Sequence, residues 1–221
     1  MVAGCLSPDF EYFLWLAPHG GFGHTWLGVV VADLPLSLLA LWLYQSYLKA
    51  GVYAVAPGLF PFREEELKTK PVARGLWEWA VTVASILLGA TTHIVWDSFT
   101  HERFWPYAHI AFLRARVPLP FGRVTSVCNV LQYVSSAAGM AVLLVLWARW
   151  VEAMGRPGVP AVRRLGVVLA AAAFLVAILR VGAVAHLFGR LTLTAIGVVT
   201  FLTMLVLFVG LIGAWQRWMP E

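Results

Sequence analysis

The sequence predicts an all-α fold: a polytopic membrane helical bundle of about five transmembrane helices, with a short apolar segment at the N-terminus. Three observations carry that expectation. The 221 residues are 61% hydrophobic and only 12% charged, against about 25% charged in a soluble domain. The apolar residues gather into stretches long enough to cross a hydrocarbon core, which takes about 20 helical residues. The 11 Trp and 6 Tyr suit the aromatic belts of a bilayer interface.

Taken in order, the stretches are 24–48, 76–99, 127–149, 163–187 and 192–215. Each is apolar around most of its circumference, as a membrane span requires. Residues 1–17 are apolar as well, but Pro8 and Pro18 leave a piece too short to count as a sixth span. In the first span Pro35 stands close to Asp33 and is expected to kink the helix. In the fourth, Ala170 to Ala173, Gly182, Ala183 and Ala185 suit close helix packing. Two long loops separate the spans. Residues 49–75 carry Pro57, Pro61, Pro71 and the charged run Arg63 to Lys68, which reads as a solvated face. Residues 100–126 carry Pro106, Pro118 and Pro120, and loops of this length are often functional. No repeat or internal boundary is visible, so residues 1–221 read as a single integral membrane domain.

Charge sets the expected orientation. The formal net charge is +5, but no Lys/Arg run is interleaved with aromatics, so the expected partner is the lipid bilayer and not nucleic acid. One set of loops holds Lys49, Arg63, Lys68, Lys70, Arg74, Arg149, Arg156, Arg163, Arg164 and Arg217. The other holds Arg103, Arg114, Arg116, Arg123 and Arg190. This excess places the N-terminus outside and the C-terminus in the cytoplasm of a multi-pass cell-membrane protein. The N-terminus has no basic leader or cleavage site, so insertion is expected to depend on the mature helices. Cys5 and Cys128 are isolated and read as small apolar residues.

The chemistry concentrates in the run His93-Ile94-Val95-Trp96-Asp97-Ser98-Phe99-Thr100-His101. On a helix each step of four residues advances a side chain by about 40° and about 6 Å, so His93, Asp97 and His101 form one stripe. Ionisable groups entering a bilayer are costly and mark functional sites. By the parity of the spans, His19, His24, His93, His101, His109 and His186 all fall on the expected outer face, with Asp9, Glu11 and Asp97. Imidazoles and carboxylates together suit zinc or another divalent transition metal. Asp9, His24, His93 and Asp97 are the expected ligands, with Glu11 or His101 as general base. Asp97-Ser98 also reads as a simple helix end, and a lone helix histidine as an interior hydrogen-bonding residue. Asp33 and Arg180, in the first and fourth spans, are expected to pair. Asn129 and Gln132 are expected to hydrogen-bond between helices.

Several motifs resemble those of a multi-pass bacterial membrane family catalogued as domain-of-unknown-function family 4184. They are Leu6-Ser7-Pro8-Asp9-Phe10-Glu11-Tyr12-Phe13-Leu14, Gly23-His24-Thr25, Asp33-Leu34-Pro35-Leu36, the His93 to His101 run, and Leu131-Gln132-Tyr133-Val134-Ser135-Ser136. The resemblance covers residues 1 to about 150. The motif order is also similar to that of inner-membrane metal-dependent hydrolase-like proteins. That similarity implies that Asp9 and Glu11 match paired acids, His24 a central histidine, and His93 and Asp97 an HxxxD pair. Two departures are Glu11 as the second acid and Thr25 after His24. The same similarity implies a further His-bearing segment ahead of the Pro-Asp run, whereas Met1 lies just before that run. The expectation is therefore that either the start codon is misassigned or a ligand and a half-span are absent. The expected function is hydrolysis of a phosphoester-like substrate of unknown identity; the alternative is a non-enzymatic protein whose polar cluster is structural or binds a partner.

Overall fold

A computed structural model describes residues 1–17, 21–68, 70–119, 124–155, 164–184 and 190–218. The chain starts with two short helices, α1 (Val2–Leu6) and α2 (Phe10–Trp15), joined by a 3-10 turn at Ser7–Asp9. Then come the long helix α3 (Trp26–Val55), the single turn α4 (Glu64–Leu67) and the long helix α5 (Leu76–Thr100). Short helices α6 (Trp105–His109) and α7 (Ala111–Arg114) precede strands β1 (Arg116–Pro118) and β2 (Val124–Ser126). Three helices complete the chain: α8 (Val127–Ala153), α9 (Arg164–Val184) and α10 (Arg190–Trp218).

The fold is all-α, as expected. Among the described residues, four stretches are long and apolar enough to cross a membrane: Trp26–Val55, Leu76–His109, Val127–Ala153 and Thr192–Trp218. The remaining predicted span corresponds to α9, whose apolar stretch Leu165–Val181 is shorter. It rises about 26 Å, somewhat less than the ~30 Å of a typical hydrocarbon core.

Met1–Ala90 together with Met154–Glu221 form one compact unit, and Thr91–Ala153 form a second; the division falls inside α5. In the first unit α3 packs on α10, and α9 packs on α10. The α3–α10 contact is close because a side chain at Gly51 would collide with the carbonyl of Val209, and one at Gly213 with that of Tyr47. Small residues at such crossings replace the hydrophobic drive that lipid cannot supply. Val55, Ala56 and Val209 are buried there, with Leu169 and Leu205 packed against them. Of the small residues foreseen in the fourth span Ala173 is buried, as is Ala177 one turn on, in the helix that packs on α10; Ala185 lies outside the described residues. Ser37 on α3 donates to the carbonyl of Ala3 at 3.3 Å, which ties the N-terminal arm to the helix.

Helix α3 contains two widened π turns, Val29–Asp33 and Tyr44–Leu48. Pro35 has no N–H to offer the carbonyl of Val31, and the first widened turn lies immediately ahead of it. The buried ammonium of Lys49 donates to the carbonyls of Glu66 (2.6 Å) and Lys68 (3.4 Å). It thereby holds the segment around α4 against α3, which runs on to Val55, beyond the expected end of the first span at residue 48.

In the second unit, the segment expected as a loop over 100–126 contains α6, α7 and an antiparallel β1–β2 ladder. Its register pairs Arg116 with Ser126, Val117 with Thr125 and Pro118 with Val124. Beneath it the Glu102 carboxylate accepts from Ser126 Oγ (2.8 Å) and Asn129 Nδ2 (3.0 Å). Trp96 Nε1 donates to Ser135 Oγ at 3.2 Å, linking the end of α5 to α8.

Candidate metal centre

The N-terminal half of the centre is built by turns. Ser7 Oγ donates to the carbonyl of Gly4 at 2.9 Å and Pro8 opens the 3-10 turn, which sets Asp9 at the N-cap of α2. The loop that returns to α3 ends in Gly23-His24-Thr25. Thr25 caps α3: its hydroxyl accepts from Gly28 N–H at 3.0 Å and donates to the carbonyl of Phe22 at 2.7 Å. This is the ordinary work of an N-cap threonine. An added Cβ at Gly23 would stand 2.9 Å from the carbonyl oxygen of Pro8 and 3.0 Å from Asp33 Oδ1. Only glycine lets the loop pass so close to the turn carrying Asp9. The outcome is that His24, with a side chain 3% exposed, lies with Nε2 3.5 Å from Asp9 Oδ1, whose side chain is 37% exposed.

Glu11 is engaged in holding this loop. Its two carboxylate oxygens accept from the backbone N–H groups of Gly21 (2.7 Å) and Gly23 (3.1 Å). A charged carboxylate on two backbone donors is a strong arrangement.

Helix α5 carries the other expected ligands, His93 and Asp97, in the second unit. The ladder spacing works as the sequence predicts: Asp97 Oδ2 is 3.6 Å from His93 Nε2 and 3.6 Å from His101 Nδ1. His101 lies just past the helix end, with Nε2 3.1 Å from the Gln132 side-chain amide. Asn129 and Gln132, expected to bond between helices, instead bond to Glu102 and His101, which lie just past the end of α5. His93 is less than one turn beyond Ala90 on an unbroken helix. In the second unit His93 and Asp97 form an imidazole–carboxylate pair, as His24 and Asp9 do in the first.

Other predicted sites fall elsewhere. The Nδ1 of His109 lies 2.9 Å from the carbonyl of Trp105, and its ring stacks on the Trp105 ring. His19 and His186 lie outside the described residues. Arg180 reaches the carbonyl of Trp15 at 3.4 Å, not the expected Asp33; Asp33 is buried against Gly23. The loop-holding bonds of Glu11 have no signature in the sequence, since they are made to backbone N–H groups ten and twelve residues away.

Apolar spanning helices that carry imidazole–carboxylate pairs define a class: an integral membrane helical protein with a candidate metal-binding centre. The chain belongs to the family described as Domain of unknown function (DUF4184), which matches residues 1–214. The match therefore takes in the last two helices, beyond the motifs of the first 150 residues. No curated protein and no solved structure gives a match.

Proposed function

We propose that Asp9, His24 and His93 bind one divalent transition-metal ion, and that this centre hydrolyses a phosphoester-like substrate. The observation that carries the reading is that each unit holds an imidazole–carboxylate pair at ligand spacing: His24 Nε2 is 3.5 Å from Asp9 Oδ1, and His93 Nε2 is 3.6 Å from Asp97 Oδ2. The donor set fits. Two imidazoles and one carboxylate are a common catalytic zinc triad, which leaves a fourth position for water or substrate. Bonds of about 2.0–2.2 Å put ligands of one tetrahedral ion roughly 3–4 Å apart, the separation seen within each pair.

When bound, the ion would supply a Lewis acid and lower the pKa of a water molecule. The protein's own residues do the rest. Buried His24 is fixed by the Thr25 cap and the Glu11 clasp. Partly exposed Asp9 leaves one side of the centre open. Asp97 sets its negative charge beside His93, as carboxylates around metal-bound histidines do. Of the two groups considered for proton transfer, Glu11 has both oxygens engaged with the loop. His101, held between Asp97 and Gln132, is the better proton carrier. The Lys/Arg excess supports an outward-facing centre.

A second reading has its own support. His101 with Gln132, and Glu102 with Ser126 and Asn129, are linked as a structural network would be. A protein with that network alone would bind no metal. Metal analysis of detergent-purified protein, wild type and His24→Ala, decides between them. A stoichiometric ion lost in the variant is expected, and a metal-free wild type after purification with zinc would eliminate the hydrolase.

A further inference from the structure

An apolar groove begins beside the N-terminal acids. Phe10, which separates Asp9 from Glu11 in the sequence, lines it together with Phe13, Leu39 and Leu43, and Val206 and Leu207 close its other wall. Its volume is about 290 Å³. A second cavity of about 260 Å³ shares Leu43, Val206 and Leu207 and continues to Tyr47. The two make one track between α3 and α10. From Leu36 to Tyr47 it follows α3 for about 16 Å of helix rise.

Three features say what fills this track. Its walls are almost wholly apolar. It runs along two helices long enough to span a bilayer. It opens outward, since Leu39 is 48% and Leu207 51% exposed. At bilayer depth an outward-facing apolar groove meets hydrocarbon, so its occupant is an acyl chain. The upper end at Phe10 sets the head of such a molecule beside Asp9 and His24. By contrast, the larger groove of about 620 Å³ between α9 and α10, lined by Phe174 and Phe201, has no candidate ligand in its wall.

We propose that the α3–α10 groove holds an acyl chain of the substrate, and that the substrate is a membrane lipid with a phosphoester head group. The proposal rests on the metal-centre reading and narrows it. In the reaction the oxygen of one water bonds to phosphorus as the bond from phosphorus to the leaving oxygen breaks. That oxygen takes up a proton, the other proton of the water remains with the phosphate or passes to solvent, and the products are an alcohol and a phosphate.

The test uses full-length protein in phosphatidylglycerol nanodiscs containing a trace of phosphatidylglycerol with a diazirine on its acyl chain. Cross-linked residues are mapped by mass spectrometry, and zinc is measured on the same samples. Labelling should concentrate on Phe13, Leu39 and Leu207. Ala40→Trp, which fills the groove, should cut that labelling about tenfold, as overpacking costs predict, with zinc content and α9–α10 labelling unchanged. Leu39→Trp, at a half-exposed position, repeats the test with less risk to folding. Even labelling of both grooves, unmoved by either variant, would mean annular lipid only and overturn the proposal. Zinc missing from the wild type would refute the metal centre, whereas even labelling with zinc bound would refute the groove alone.

Discussion

The N-terminal loop and the end of α5 present the same residue types, but different forces hold them. On α5 the helix backbone does the positioning: His93, Asp97 and His101 follow at intervals of four, and each neighbouring pair stands 3.6 Å apart. In the loop nothing so regular operates. Asp9 and His24 meet because Pro8 turns the chain, Gly23 permits a close pass, Thr25 caps α3 and Glu11 holds two backbone N–H groups. The loop half therefore depends on residues that are not ligands, whereas the helical half depends on little beyond α5 itself.

That contrast can be broken most severely at a ligand. His24→Ala should weaken zinc binding by more than the about 10–100-fold typical of outer partners, read by metal titration. A smaller loss would move His24 out of the first rank. Asp97→Asn comes next. It keeps shape but removes charge, so metal affinity should fall about 10–100-fold while the melting temperature holds. If Asp97 instead neutralises a buried cation, the melting temperature should drop with metal content unchanged.

Glu11→Gln sharpens the comparison from the loop side. A single amide oxygen replaces two carboxylate oxygens, so at least one of the two N–H bonds is weakened or lost. Stability should decrease by about 1–2 kcal/mol, amide exchange at Gly21 and Gly23 should quicken, and zinc affinity should fall with it. Unchanged exchange at both glycines would show that Glu11 does not hold the loop. The smallest effect belongs to Asn129→Ala in the second unit. It removes one donor from Glu102 and should cost about 0.5–1.5 kcal/mol in thermal unfolding, with metal binding untouched.

What was legible in the sequence follows the same division. Helix spacing is local, so the His93–Asp97–His101 stripe could be read directly, and hydropathy alone gave the all-α membrane fold. The Gly-rich run before His24 signalled a bend but not what the bend approaches. Glu11 looked like a base because a carboxylate's partners are invisible until the loop folds back on it. Arg180 and Asp33 were matched by depth in the membrane, which says nothing of the direction each faces around its helix. The β1–β2 hairpin escaped notice because three-residue strands, one ending in Pro118, show no alternation to detect. The segment 100–126 therefore read as plain loop.

The second widened turn of α3 has a consequence for chain length. Ser37, Ser46 and Lys49 are all buried. At about 100° per residue, a uniform α-helix would set Ser37 and Ser46 about 180° apart, one toward the protein and the other toward lipid. A π turn absorbs roughly one additional residue, which brings the two serines to within about 80° of each other. The turn at Tyr44–Leu48 thus acts as a phase corrector: it swallows a surplus residue so that Lys49, in the last two turns of the helix, is aimed at the carbonyls of Glu66 and Lys68. Shortening this turn by one residue would rotate everything below it, and Lys49 would lose Glu66 although no contact residue had been changed.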